Sequence, residues 1–321
     1  MDPVRLLLIS TTAVLSLMLL IEWNQYSDEY QKQQSELYTA AITEPGLVTN
    51  ESVAAPTSQV INDGIPSVNQ ETNPLSVLLD DSETFNLSTD ALDLVISADG
   101  GDVVSASLPK FPVRLDTPDQ PFRLLENNNL RRYVAQSGLI GPDGIDASGN
   151  RARYASQGVS NNGDGSHTLT LAWKGNDPLG IQVYKRFTAH DDRYDVDVSF
   201  DIRNGGSSVA SVTSFAQLKR DNTQAPDGNT GFGVSPYLGA ALTQPDERYT
   251  KLSFSDLNDE PFSKRLPAGW VAILQHYFVS AWIPSQKASH DYFASQLSNG
   301  DNVIGYKNQN VDIPPGSGAT I

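Results

Sequence analysis

The side chains able to do chemistry are few and scattered. Histidine occurs four times, at His167, His190, His276 and His290, and cysteine not at all. No two histidines have a metal-binding spacing such as HExxH, and without a thiolate no zinc-ribbon or nucleophilic-cysteine site can form. There is no GxSxG elbow and no phosphate-cradling loop, and Gly100-Gly101 lies in a turn rather than opening a helix. Asp191-Asp192 and Asp80-Asp81 read as solvated turn residues. The remaining candidate is aromatic: Trp270, His276, Tyr277, Phe278 and Trp282 fall in one run and could line a groove for a sugar or peptide. The plainer reading places His276 at a strand edge, held by packing, and the aromatics as alternate members of a sheet.

The elements that would position this run are strands. Phe85, Leu87, Leu92, Leu94, Ile96 and Val103 fall at strand spacing around the hairpin signal Asp99-Gly100-Gly101-Asp102. Further strands are expected at 130–137 (ending at Gly138), 167–173, 181–188, 194–203, 209–219, 270–274, 277–283, 292–297 and 303–306. Tyr194, Val196, Val198, Phe200 and Ile202 alternate with Asp195, Asp197, Ser199, Asp201 and Arg203, the pattern of an antiparallel strand with one wet face. The run from Trp270 to Ile283 has the length of a helix. Its Val, Ile, Tyr, Phe and Trp content favours two strands with a bend near Gln275-His276. Many short strands with Gly, Pro and Asn turns predict an all-β fold, one large antiparallel sandwich over residues 83–321.

Two segments precede it. Residues 6–21, LLLISTTAVLSLMLLI, carry no charge, and with their flanks reach roughly 25–30 Å as a helix, about a bilayer's hydrocarbon thickness. Leu6, Leu7, Leu8, Ile9, Val14, Leu15, Leu17, Met18, Leu19, Leu20 and Ile21 would face lipid, with Arg5 and Trp23 at the two interfaces. No small residue follows the apolar core where a signal peptidase would cut, so residues 1–24 read as a retained transmembrane anchor. Arg5 on one flank, against Glu22, Asp28 and Glu29 on the other, keeps the N-terminus cytoplasmic and puts the residues after about 24 outside. Residues 25–82 are built from Gln, Ser, Glu, Thr, Asn, Ala and Pro and read as a flexible polar tether. The net charge of −16 argues against nucleic acid and anionic headgroups as partners. No cofactor and no metal are expected.

Ordered blocks of residues then suggest a family. STDALDLVISADGGDV (88–103), PFRLLE (121–126), YVAQSGLIGPDG (133–144), TSFAQLKR (213–220), LGAALTQPDERYTKLSF (238–254), GWVAILQHYFVSAWIP (269–284) and NGDNVIGYK (299–307) resemble the N-terminal part of YidC-type membrane protein insertases of Gram-negative bacteria. The resemblance covers nearly the whole chain from residue 84 on. It implies a periplasmic β super-sandwich, similar to mutarotase-like and sugar-binding domains, behind one inner-membrane helix. It also implies a non-enzymatic role in inserting, folding and assembling membrane proteins, alone or beside the Sec translocon, with translocon subunits and nascent membrane proteins as partners. The family's insertase core, a bundle of later transmembrane helices, would lie beyond Ile321, so this sequence reads as a fragment. The alternative is a membrane-anchored periplasmic carbohydrate-binding domain.

Overall fold

The computed structural model describes residues 83–146, 151–175, 180–223, 237–275 and 277–321. They contain nineteen strands and no helix, every pairing antiparallel. The largest sheet has ten strands. Along its main path lie β1 (Thr84–Ser88), β2 (Asp93–Ser97), β3 (Val103–Pro112), β4 (Pro121–Asn127), β5 (Arg132–Ile140), β10 (Ala210–Arg220), β17 (Asn302–Lys307), β16 (Ser289–Gln296) and β13 (Phe262–Pro267), and β18 (Val311–Ile313) pairs with β10. A five-stranded sheet runs in the order β19 (Gly318–Thr320), β9 (Val196–Asn204), β8 (Ile181–His190), β7 (Ser166–Trp173), β6 (Tyr154–Asn161). A four-stranded sheet comprises β12 (Thr250–Leu252), β11 (Leu238–Leu242), β14 (Val271–Gln275) and β15 (Phe278–Trp282).

The expected all-β antiparallel class is what forms, and the run from Trp270 to Ile283 is two strands rather than a helix. The Asp99–Asp102 turn joins β2 to β3 with Gly100 and Gly101 at φ 76° and 58°, a region that glycine enters without steric penalty. Some boundaries differ from expectation. The strand expected to stop at Gly138 continues to Ile140 and turns at Gly141, because Leu139 and Ile140 pair with Ser214 and Thr213 of β10. The β4, β6, β11, β12, β13, β18 and β19 strands carry weaker alternation and were not expected.

One core gathers side chains from all three sheets: Leu94, Ile96 and Tyr133 from the first, Leu169, Leu171 and Phe187 from the second, and Ala240 and Ile273 from the third. A second, smaller core joins β5 and β10 to β8 and β9 through Leu139, Ile181, Val183, Phe200, Ile202 and Val212. Burial of apolar area on these facing sheets is the main source of stability. Leu171 has no exposed surface, so Leu171→Ala leaves a cavity and is expected to cost about 3 kcal/mol in urea unfolding. Leu115 is 97% exposed, and Leu115→Ala is expected to change stability by less than about 0.5 kcal/mol.

Candidate functional site

Strand β15 ends its sheet and pairs with β14 from Val271↔Trp282 to Gln275↔Phe278. Alternation splits its side chains between two faces. Phe278 and Trp282 turn inward: Phe278 stacks on Phe122 with ring centroids 4.2 Å apart, and the Trp282 indole N–H donates to the Gln217 carbonyl at 3.0 Å. Tyr277, Val279, Ala281 and Ile283 turn outward, and Tyr277, Val279 and Ile283 are 81%, 54% and 68% exposed. Phe111 meets Phe278 edge to face at 5.8 Å and lies 5.9 Å from the ring of Tyr194, both Phe111 and Tyr194 being exposed. An apolar stripe on an edge strand is the chemistry of a contact surface for another chain.

The sequence candidates do not share one groove. Tyr277 and Trp282 lie on opposite faces of the β15 segment, and Trp270 is half-buried with its ring 6.2 Å from that of Tyr249. His276 lies outside the described residues, as do the anchor residues Arg5 to Trp23 and the tether. Among the described residues no helix is long and apolar enough to cross a membrane, and no group of three or more His, Cys, Asp or Glu could hold a metal ion. A groove of about 360 Å³ does exist on the five-stranded sheet, lined by Gln157, Thr170, Tyr184, Arg186 and Arg203 among others. Trp270, Tyr277 and Trp282 are not among its lining residues.

Beneath the surface lies a buried ionic network that the sequence reading missed. Lys185 sits in β8 at an inward position, in line with Val183 and Phe187. Its ammonium donates to the carbonyls of Gly100 (2.9 Å), Gly101 (2.9 Å) and Ser137 (2.8 Å), so all three protons have acceptors. Burial pushes it down to about 7, partly countered by Asp102. Beside it, Arg151 bridges Asp102 and Asp146 and donates to the Ser137 carbonyl at 2.9 Å. Asp146 in turn accepts the Leu139 and Ala152 N–H groups, each at 2.9 Å. A Cβ at Gly138 would come within 2.9 Å of both Phe215 and the Arg151 guanidinium, so only glycine lets the pair lie on the strand. Asp102 also accepts from the Gln136 amide at 2.7 Å, and Gln217 donates to Gln136 at 3.0 Å. The network thus runs from β8 to β10, whose Gln217 carbonyl holds Trp282. The signal was present in the sequence, a lysine at an inward strand position, but alternation alone does not say that such a position is fully covered.

Residues 84–321 match the family model described as the YidC periplasmic domain. The chain belongs to that family. "Membrane protein insertase YidC" of Pseudomonas entomophila (strain L48) is 36% identical over 324 residues, covering 98% of this chain and 56% of that relative. The protein of the same name from Pseudomonas putida (strain W619) is 38% identical over 325 residues, covering 99% of this chain and 57% of the relative. The chain therefore spans little more than half the length of these YidC relatives. Among solved structures, a galactose mutarotase-like protein from Lactobacillus casei ATCC 334 is similar at a TM-score of 0.48 and 9% identity, over 74% of this chain and 98% of that one. A likeness at that level says nothing of what the chain binds.

Two consequences can be measured. Arg151→Met strands Asp102 and Asp146 as buried, unpaired carboxylates, and the urea unfolding free energy at pH 7 is expected to fall by about 3–5 kcal/mol. Burial raises the Tyr133, Tyr292 and Tyr306 phenols to about 12, and lifts Tyr154 well above its ordinary value. A folded value above the unfolded one contributes stability below pH 10 that is lost as pH rises through 12. Tyrosinate absorbance from these rings should therefore rise together with loss of strand circular dichroism between about pH 10 and 12.

Proposed function

We propose that this chain is the anchored, extracytoplasmic part of an inner-membrane insertase, and that the outward face of β15 is the surface through which it meets its partners. In this reading residues 1–24 hold the chain in the bilayer with the N-terminus cytoplasmic. Residues 25–82 form the tether, and residues 83–321 stand in the periplasm as a scaffold for nascent membrane proteins, alone or beside the Sec translocon. We assign it no catalytic step, cofactor or metal. The family match at residues 84–321, with relatives named membrane protein insertases over the same residues, carries the reading.

The physical support is the β15 stripe. Nascent membrane segments are apolar, and a partner strand can add to an exposed sheet edge through backbone hydrogen bonds, with alternate side chains packing on the stripe. The acidic chain favours a contact made by apolar groups over one made with anionic lipid. Photo-crosslinkers placed at Tyr277 and Ile283 in native membranes are expected to capture nascent membrane proteins or translocon subunits, whereas one at the still more exposed Leu115 is not. Equal adducts at all three positions, or none from the stripe, would contradict the reading.

A further inference from the structure

The face of β15 opposite the stripe helps cover a second group of buried cations, unconnected with the Lys185 network. Arg220 and Tyr133 are direct cross-strand partners on β10 and β5, and both are fully buried. Arg131 precedes β5 and is 5% exposed. Both guanidinium groups lie over the Tyr133 ring, Arg220 at 4.8 Å and Arg131 at 5.8 Å from its centroid. Both also donate to one oxygen, Oε1 of Gln275 at the end of β14, Arg131 at 2.8 Å. Two positive charges therefore share one neutral acceptor. The rest of their bonds go to backbone carbonyls, of Arg123 and Leu124 for Arg131 and of Thr223 for Arg220.

The charge balance is incomplete. Among the described residues no carboxylate oxygen lies within 4 Å of Arg220, and Arg131 has only Glu126, at 4.0 Å. The hydrogen-bond balance fails in the same direction. Buried atoms without a partner here are Arg131 Nε, Arg220 Nε, Gln275 Nε2, and the hydroxyls of Tyr133 and Ser280. Each can donate, and the three nitrogens can only donate. The Gln275 amide cannot be turned over to help, since its oxygen is what both arginines hold. Register puts Ser280 opposite Ile273, two residues from Gln275, on the same face of the β14–β15 pair. The Ser280 hydroxyl is close enough to Tyr133 to lower its pKa, yet neither hydroxyl completes a bond of proper geometry.

A donor-rich, acceptor-poor cluster carrying two buried positive charges calls for one species. A water would accept two of these bonds but bring two more donors and no charge, whereas an anion accepts from every direction and offsets the cost of burying the guanidinium groups. We propose that Arg131, Arg220 and Gln275, with the hydroxyls of Tyr133 and Ser280, hold a single small monovalent anion of chloride size between the β5–β10 and β14–β15 pairs. The ion is structural: it lets the four-stranded sheet close over the large one and so fixes the strand that bears the apolar stripe. Burial pushes Arg220 down to about 10, and Arg131 below its ordinary value, by more than the carboxylates of Asp221 and, for Arg131, Glu126 offset.

The test is thermal unfolding of the purified full chain in detergent, with chloride replaced stepwise by gluconate at one fixed ionic strength. Gluconate is too bulky for a covered site. Chloride is expected to raise the midpoint saturably, by about 3–6 °C at tenfold its dissociation constant. Gln275→Glu places a carboxylate of nearly the same shape between the arginines. It should raise the midpoint in gluconate and abolish the chloride response, and Arg220→Met should abolish the response as well. A chloride response that survives in Gln275→Glu, no response in the unaltered chain, or a lower midpoint for Gln275→Glu in gluconate would each overturn the proposal.

Discussion

A strand has two faces, and β15 is apolar on both. Phe278 and Trp282 are used to close the core, Phe278 on Phe122 and Trp282 on the interior strand β10 of the ten-stranded sheet through the Gln217 carbonyl. Tyr277, Val279, Ala281 and Ile283 are then forced outward by the two-residue period. Neither set can be buried without exposing the other. Since β15 is also the last strand of its sheet, the exposed set lies beside backbone groups that have no further strand to pair with among the described residues. A monomer gains nothing from that arrangement, and an interaction surface does.

The position of β15 depends in turn on polar groups deep in the fold. Trp282 is held by β10, whose Gln217 connects through Gln136 and Asp102 to Arg151 and thence to Asp146. Lys185 ties β8 of the five-stranded sheet to the turn after β2 and to β5. Such groups contribute less to net stability than apolar residues of the same size would. What they supply is registry, because each charge has only one arrangement that satisfies it. The pair Arg131 and Arg220 differs in having no sufficient acceptor, which is why an external anion is inferred there and not beside Lys185.

Much of this was legible in the amino-acid sequence. The all-β class followed from the strand signals at residues 181–188, the clean alternation at 194–203 and the glycine turn at 99–102. The bend that makes β14 and β15 separate strands was readable from the β-branched and aromatic content of Trp270–Ile283. The division of that aromatic run into inner and outer members was not, since period two gives two faces without saying which is covered. Short strands such as β12 and β19 carry too few residues to show a period at all. The buried cations escaped for another reason: Lys185, Arg131 and Arg220 look like surface residues until partners far apart in sequence, such as Gly100, Ser137 and Gln275, are brought to them. The family itself was visible, because its blocks stand in order along the chain from residue 84 onward.

The claim that the outer face of β15 is covered by a partner is tested most directly by backbone amide hydrogen exchange of residues 277–283. The exchange would be compared between native membranes and the chain purified in detergent. The account predicts slower exchange across this segment in membranes, with strands such as β6 and β7 unchanged. Equal exchange of residues 277–283 in the two settings would contradict it.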